Sequence, residues 1–193
     1  MKTLTAGTLF TALFSTAAAA LEEPSFVVIE ERDGYEIRRY DSYLVAQTQI
    51  PGDYKPGSNQ AFRILAGYIF GKNQQELKMA MTVPVTSQLN ADGEDGKAYE
   101  WQFVMGRAYS EETLPTPVDN RVSIERVPSR LVAVRRYSGS TGEKNFRKNV
   151  LRLAEALARD GLTTRGEPIA AVYNGPFTPG FFRRNEVLVE LKE

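Results

Sequence analysis

The sequence predicts an α+β domain with roughly eight or nine mostly antiparallel strands and two helices. Three observations carry that prediction. Short apolar runs alternate with polar residues and stop at turn residues, two longer stretches have helical spacing, and one strand-bearing segment is followed by a near copy of itself. Tyr35–Tyr54 aligns with Val122–Thr141, 87 positions later. Ile37/Ile124, Arg39/Arg126, Ser42/Ser129, Leu44/Leu131, Val45/Val132, Ala46/Ala133 and Gly52/Gly139 are identical, where average composition gives about one or two chance matches. Duplication predicts two half-domains with a groove between them, where ligands usually sit. Convergent strand composition is the alternative.

The elements follow in order. Ser25–Glu31 is an opening strand stopped by Asp33-Gly34, and Tyr35–Tyr40 and Tyr43–Ile50 are two short strands. Pro51–Gly57, rich in Pro and Gly, reads as a loop, with Ser58 as the N-cap of a helix to about Phe70 and Gly71 as its stop. Lys78–Ser87 and Ala98–Gly106 predict a hairpin across the polar loop Gln88–Lys97, which carries Asp92-Gly93 and Asp95-Gly96. Residues 107–121, with Leu114-Pro115-Thr116-Pro117, connect the halves. Strands at Val122–Val127 and Leu131–Tyr137 follow, then Ser140-Thr141-Gly142-Glu143 with capping-box spacing. Phe146, Val150, Leu153 and Leu157 line one face of a second helix ending at Gly161, and Pro168–Tyr173 and Asn185–Leu191 close the domain.

Residues 1–20 stand apart from this domain. Lys2 supplies a positive start, Leu9–Leu13 the centre of an apolar run, and Ala17–Ala20 small residues suited to cleavage. The expectation is a cleaved secretory signal, leaving residues 21–193 as a single exported domain, periplasmic or extracellular. The apolar run is too short for a transmembrane helix, and without Cys a lipoprotein anchor is excluded.

Composition removes whole classes of chemistry. There is no Cys and no His among 193 residues, so Ser-His-Asp and Cys-His catalysis, His/Cys zinc sites and His-ligated haem are all closed. Twenty-four basic residues balance 24 acidic ones, which argues against nucleic acid as a partner. The expectation is a binding protein, not an enzyme, with no structural metal. Glu76 or Glu186 as a general base is the minority enzymatic reading.

The two helices differ. The second has an ordinary charged back, whereas from Phe62 to Phe70 the first carries only Arg63 as a charge. Such a surface is either fully buried or partly reserved for something other than protein.

Tyr68-Ile69-Phe70-Gly71-Lys72-Asn73 followed by Met81-Thr82-Val83-Pro84-Val85 resembles the YIxGxN…MTxPV signature of the SOUL haem-binding proteins. Ala171–Pro176 followed by Phe182-Arg183-Arg184-Asn185-Glu186-Val187 resembles the same family's late segment, so the resemblance spans about residues 24–192. It implies a distorted antiparallel β-barrel of two pseudo-repeated halves (about 25–110 and 118–193), each with one helix packed outside. It also implies a haem or free porphyrin beside the first helix, and kinship in fold with sensor domains. The chain departs from members that ligate iron through His, leaving only apolar contact with basic residues at the propionates. Arg63 falls where such members place a pocket-facing base, and the loop before Arg183 lacks the lysine of some relatives.

A porphyrin is a flat apolar disc with two carboxylates on one edge, so it needs an apolar slot with cations at the rim. The first helix offers Phe62, Leu65, Ala66, Ile69 and Phe70, with Phe177, Phe181 and Phe182 as an opposite wall. Arg63, Lys72, Lys78 or Arg183 can meet propionates, or serve as solvated surface charges. Met79 and Met81, two apart on a strand, are weak axial candidates against a reading as core filler. Tyr68, with Tyr40 and Tyr43, offers tyrosinate with no diagnostic neighbours. Arg184 and Glu186 read as a lock between the halves. The alternative function is a sensor-like module for other apolar ligands, or for an unidentified protein partner.

Overall fold

A computed structural model describes residues 21–90 and 97–192. The expected leader and the paired Asp-Gly turns of the expected Gln88–Lys97 loop lie outside the described residues. The strands are β1 (Phe26–Arg32), β2 (Tyr35–Tyr40), β3 (Tyr43–Pro51), β4 (Val85–Asn90), β5 (Ala98–Val104), β6 (Ser123–Val127), β7 (Arg130–Tyr137), β8 (Thr164–Val172) and β9 (Asn185–Leu191). Helix α1 (Tyr54–Ile69) follows β3 and α2 (Glu143–Arg159) follows β7. All nine strands join one antiparallel sheet in the order β1-β2-β7-β9-β8-β4-β5-β3-β6. It curls as a half-barrel, with β1 and β6 left as edges.

The order strand, strand, helix, strand, strand occurs twice, as β2–β5 around α1 and as β6–β9 around α2. Pairing crosses between the two sets: Ile37 on β2 faces Ala133 on β7, and Ala46 on β3 faces Ile124 on β6.

Strand alternation sorts the core into two faces. Ala46, Trp101 and Phe103 look toward α1, and Ala133, Val187 and Val189 look toward α2. Both helices therefore lie on the same side of the sheet. Val132, Val134, Ala171 and Leu188 point the other way and fill the inside of the curl with Tyr40 and Tyr173.

Several boundaries differ from expectation, among them the start of β8, four residues ahead of Pro168. Helix α1 starts four residues before Ser58, with Asp53 as N-cap. Pro56 is tolerated there because the first-turn N–H groups have no helical acceptor, and Gly57 is buried against Ile50. Ser58 Oγ instead donates to the Lys55 carbonyl at 2.8 Å. The capping box before α2 does not form: Gly142 is the N-cap, and Ser140 Oγ accepts from the Gly142 N–H. Of the expected strand at 78–87 only Val85–Ser87 pairs, and β4 runs on to Asn90 into the expected loop. The segment before it is tied elsewhere, Met79 N–H to the Ile69 carbonyl and Val83 N–H to the Glu22 carbonyl.

Candidate ligand cleft

Between α1 and the β8–β9 connection lies an apolar cleft of about 950 Å³, at the upper end of the ~300–1,000 Å³ usual for small-molecule sites. Helix α1 supplies Tyr54, Ser58, Asn59, Phe62 and Arg63. Val85 on β4, Trp101 and Phe103 on β5, and Val172 on β8 form the floor. Registry explains that floor: Val85 pairs with both Phe103 and Val172, so strands distant in sequence present neighbouring apolar side chains. Met81, Thr82 and Val83 make one lip, and Asn174, Gly175, Pro176 and Arg183 the other.

The aromatic wall is held by ring contacts. Tyr54 packs on Trp101 with centroids 5.0 Å apart, and Phe62 meets Phe103 edge-on at 5.5 Å. Half of Phe62 remains exposed. The Thr82 hydroxyl donates to the Val104 carbonyl at 2.5 Å, fixing the lip to β5. Burial raises the Tyr54 phenol above its ordinary range despite a hydrogen bond with Ser87, so it faces the cleft uncharged at neutral pH.

Of the residues expected at the site, Phe62, Arg63, Met81 and Arg183 line this cleft. Arg63 is exposed at the rim, and no carboxylate lies within 4.0 Å of it among the described residues. Arg183 is more committed: its Nε donates to the Thr178 carbonyl at 2.7 Å and an Nη to the Pro176 carbonyl at 2.8 Å.

The other expected residues sit elsewhere. Leu65, Ala66 and Ile69 are buried in the core under α1 and do not line the cleft: they lie within about 60° of Phe62 around the helix, but one to two turns further along it. Phe70 and Lys78 form an isolated bridge beyond the helix end, outside the cleft lining. Lys72 lies on the opposite flank of α1. Phe177, Phe181 and Phe182 are strongly exposed, Phe177 at 98%, and point out from the connection instead of forming a wall. Met79 is buried in the core. Tyr68 is buried and its hydroxyl donates to the Pro115 carbonyl at 2.8 Å, so neither it nor Met79 faces the cleft.

The two carboxylates considered for general-base work also find places. Glu186 is fully buried and taken up by Arg38, Arg184 and Tyr173. Glu76 is exposed in the turn after α1, at φ 50°, and does not line the cleft. Among the described residues no cluster of three or more His, Cys, Asp or Glu is arranged to hold a metal ion, and no helix is long and apolar enough to cross a membrane.

Sequence reading missed Tyr54, Val85, Trp101, Phe103 and Val172. Their only linear signal was strand alternation; what unites them is registry.

A family model described as SOUL heme-binding protein matches residues 21–190. Heme-binding protein 2 of Mus musculus is 32% identical over 87% of this chain and 85% of its own length. The Homo sapiens protein of the same name is 30% identical over 75% and 74%. Among solved structures, the EcmrR C-terminal domain superimposes with a TM-score of 0.62 at 8% identity, covering 82% of this chain and 97% of that one. A hydrolase from Listeria innocua gives 0.60 at 10% identity, covering 82% and 91%. At such identities the likeness is one of fold.

Proposed function

The chain belongs to the SOUL heme-binding protein family, and from that premise we propose that the cleft beside α1 holds a haem or free tetrapyrrole without histidine. The protein acts as an exported carrier, buffer or scavenger with no chemistry of its own. The observation that carries this reading is a cleft with an apolar floor and, at its rim, the Arg63 guanidinium, which has no carboxylate partner among the described residues.

The residues present suit the group. A planar apolar ligand slides between Phe62 and the Met81–Val83 lip and rests on Val85, Phe103 and Val172, which exclude water from its face. Arg63 meets a carboxylate at the open edge. Arg183, spent largely on carbonyls, shapes the opposite lip. Met81 is the one sulfur among the described residues of the lining, and apolar contact supplies most of the binding. When bound, haem would bring redox-active iron; among the described lining residues the side chains that could approach that iron are the Met81 thioether and the Tyr54 and Tyr173 phenols. Export rests on the composition of residues 1–20.

The test is direct. Residues 21–193, titrated with hemin, should give a shifted Soret band saturating near one equivalent, and protoporphyrin IX should bind comparably. Absence of saturable binding by both rejects the reading. Cell fractionation should find the mature chain outside the cytoplasm; retention of the uncleaved chain inside rejects export.

A further inference from the structure

A second recess, of about 380 Å³, lies on the other flank of α1 and is lined by Gln60, Arg63, Ile64, Tyr68, Lys72, Asp119 and Arg121. Its chemistry is opposite to that of the cleft. Three cations converge on it against one carboxylate, and that carboxylate is already held by Arg121 through two contacts of 2.9 and 2.6 Å. Among the described residues no carboxylate comes within 4.0 Å of Arg63 or Lys72. Positive charge is therefore left over at both ends of the recess.

Lys72 is placed there by a notch in the helix. A Cβ at Gly67 would meet the Lys72 Cδ at 3.2 Å, so the missing side chain lets the lysine stem lie against α1. Glycine in a helix interior is unfavourable relative to alanine, and this close approach accounts for it. The stem starts where the Lys72 N–H donates to the Gly67 carbonyl at 2.9 Å.

We propose that this recess binds a multivalent oxyanion, a phosphate or polycarboxylate group, between Lys72, Arg63 and the Arg121 side chain. Arg63 also lines the apolar cleft. An anion in the recess therefore competes for its guanidinium with any carboxylate on a cleft ligand, giving negative coupling between the two sites. The recess itself stands independently of the tetrapyrrole reading; the coupling rests on it.

The experiment is a pyrophosphate titration of residues 21–193 at constant ionic strength, followed by amide NMR without hemin. Saturable shifts confined to residues around Gly67, Lys72, Asp119 and Arg121 are expected. Citrate in place of pyrophosphate separates the sources, the tighter of the two naming phosphate esters or polycarboxylates. Gly67→Ala, which favours the helix while displacing the lysine stem, and Lys72→Gln should each weaken the anion at least fivefold with the fold intact by circular dichroism. Lys148→Gln on α2 should not. Hemin affinity should fall severalfold with saturating pyrophosphate in the parent protein and not in Lys72→Gln. Absent shifts, or shifts spread over unrelated lysines, overturn the site. Confined shifts with unchanged hemin affinity overturn the coupling alone, and confined shifts with no hemin binding at all overturn the tetrapyrrole reading while leaving the anion site standing.

Discussion

Inside the curl, the Tyr173 hydroxyl donates to the buried Glu186 carboxylate at 2.6 Å, while the Arg184 guanidinium lies 3.7 Å from the centre of the same tyrosine ring. Arg38 approaches the other side of Glu186 with contacts of 3.1 and 3.2 Å. The carboxylate thus ties β9 to β2 and to the end of β8, and Arg184 extends the tie to Glu23 at 2.8 Å. Removing Glu186 leaves the buried Arg38 with only the half-exposed Glu36 at 2.7 Å and Arg184 with only Glu23, so Glu186→Ala should cost about 3 kcal/mol of stability. Urea unfolding checks this; a loss below about 1 kcal/mol would mean that the network relaxes onto other partners.

Arg63 and Arg147 make a matched pair for the cleft. Both are exposed arginines on helices, but Arg147 sits on α2 with Glu143 as its partner. Arg63→Glu should weaken hemin binding about fivefold or more, and Arg147→Glu should change it less than twofold. Soret titrations read both, and equal effects would remove Arg63 from the binding edge.

Met81 decides the question of sulfur ligation. Met81→Leu conserves volume in the lip and should leave the Soret maximum of the hemin complex in place, with affinity within about threefold. A clear spectral shift would show that the thioether reaches iron.

Asn73 predicts a purely structural loss. Its side chain donates to the Tyr68 and Leu77 carbonyls at 3.1 and 2.7 Å, and accepts from the Leu77 N–H at 2.9 Å. Asn73→Ala strands these buried groups and should cost about 2 kcal/mol, measured by denaturant unfolding. Hemin affinity at full folding should stay unchanged, since Asn73 does not line the cleft.

Alkaline pH should unfold the domain by way of its tyrosines. Burial pushes the phenols of Tyr35, Tyr40 and Tyr68 up to about 12, against about 10 in an unfolded chain. The unfolded state therefore sheds these protons first. Stability is fully present below pH 10 and is lost as pH rises from 10 through 12. Denaturant midpoints from pH 9 to 12, read beside phenolate absorbance, should fall together; a flat midpoint across that window would contradict the burial.

Much of the architecture was legible locally. Tyr35–Tyr40 and Asn185–Leu191 were readable as strands to the residue, and the spacing of Phe146, Val150, Leu153 and Leu157 placed the inner face of α2. The start of α1 was not, because Pro56 and Gly57 look like a loop until Ile50 is packed against the glycine. The candidate site was legible only at its edges. Phe62, Arg63 and Met81 were found from motif and helix composition, whereas Leu65, Ala66 and Ile69 were assigned to a ligand when they belong to the core. One continuous apolar face gives no linear sign of which of its turns the sheet covers and which it leaves open. The recognisable motifs themselves split: Met81–Val83 and Asn174–Pro176 shape the cleft, while Tyr68, Asn73, Arg184 and Glu186 hold the framework.

The sequence by itself determined the class of fold, the order of the elements and the kinds of chemistry closed to a chain without histidine or cysteine, because alternation, turn residues and composition act over a few neighbouring positions. Only the tertiary structure decided that Val85, Phe103 and Val172 make one floor, that Arg63 stands between an apolar cleft and a cationic recess, and that the lock on Glu186 recruits Arg38 from β2 and Tyr173. Those facts depend on which strands lie side by side, and pairing between residues some 20 to 150 positions apart is set by the packing of the whole sheet.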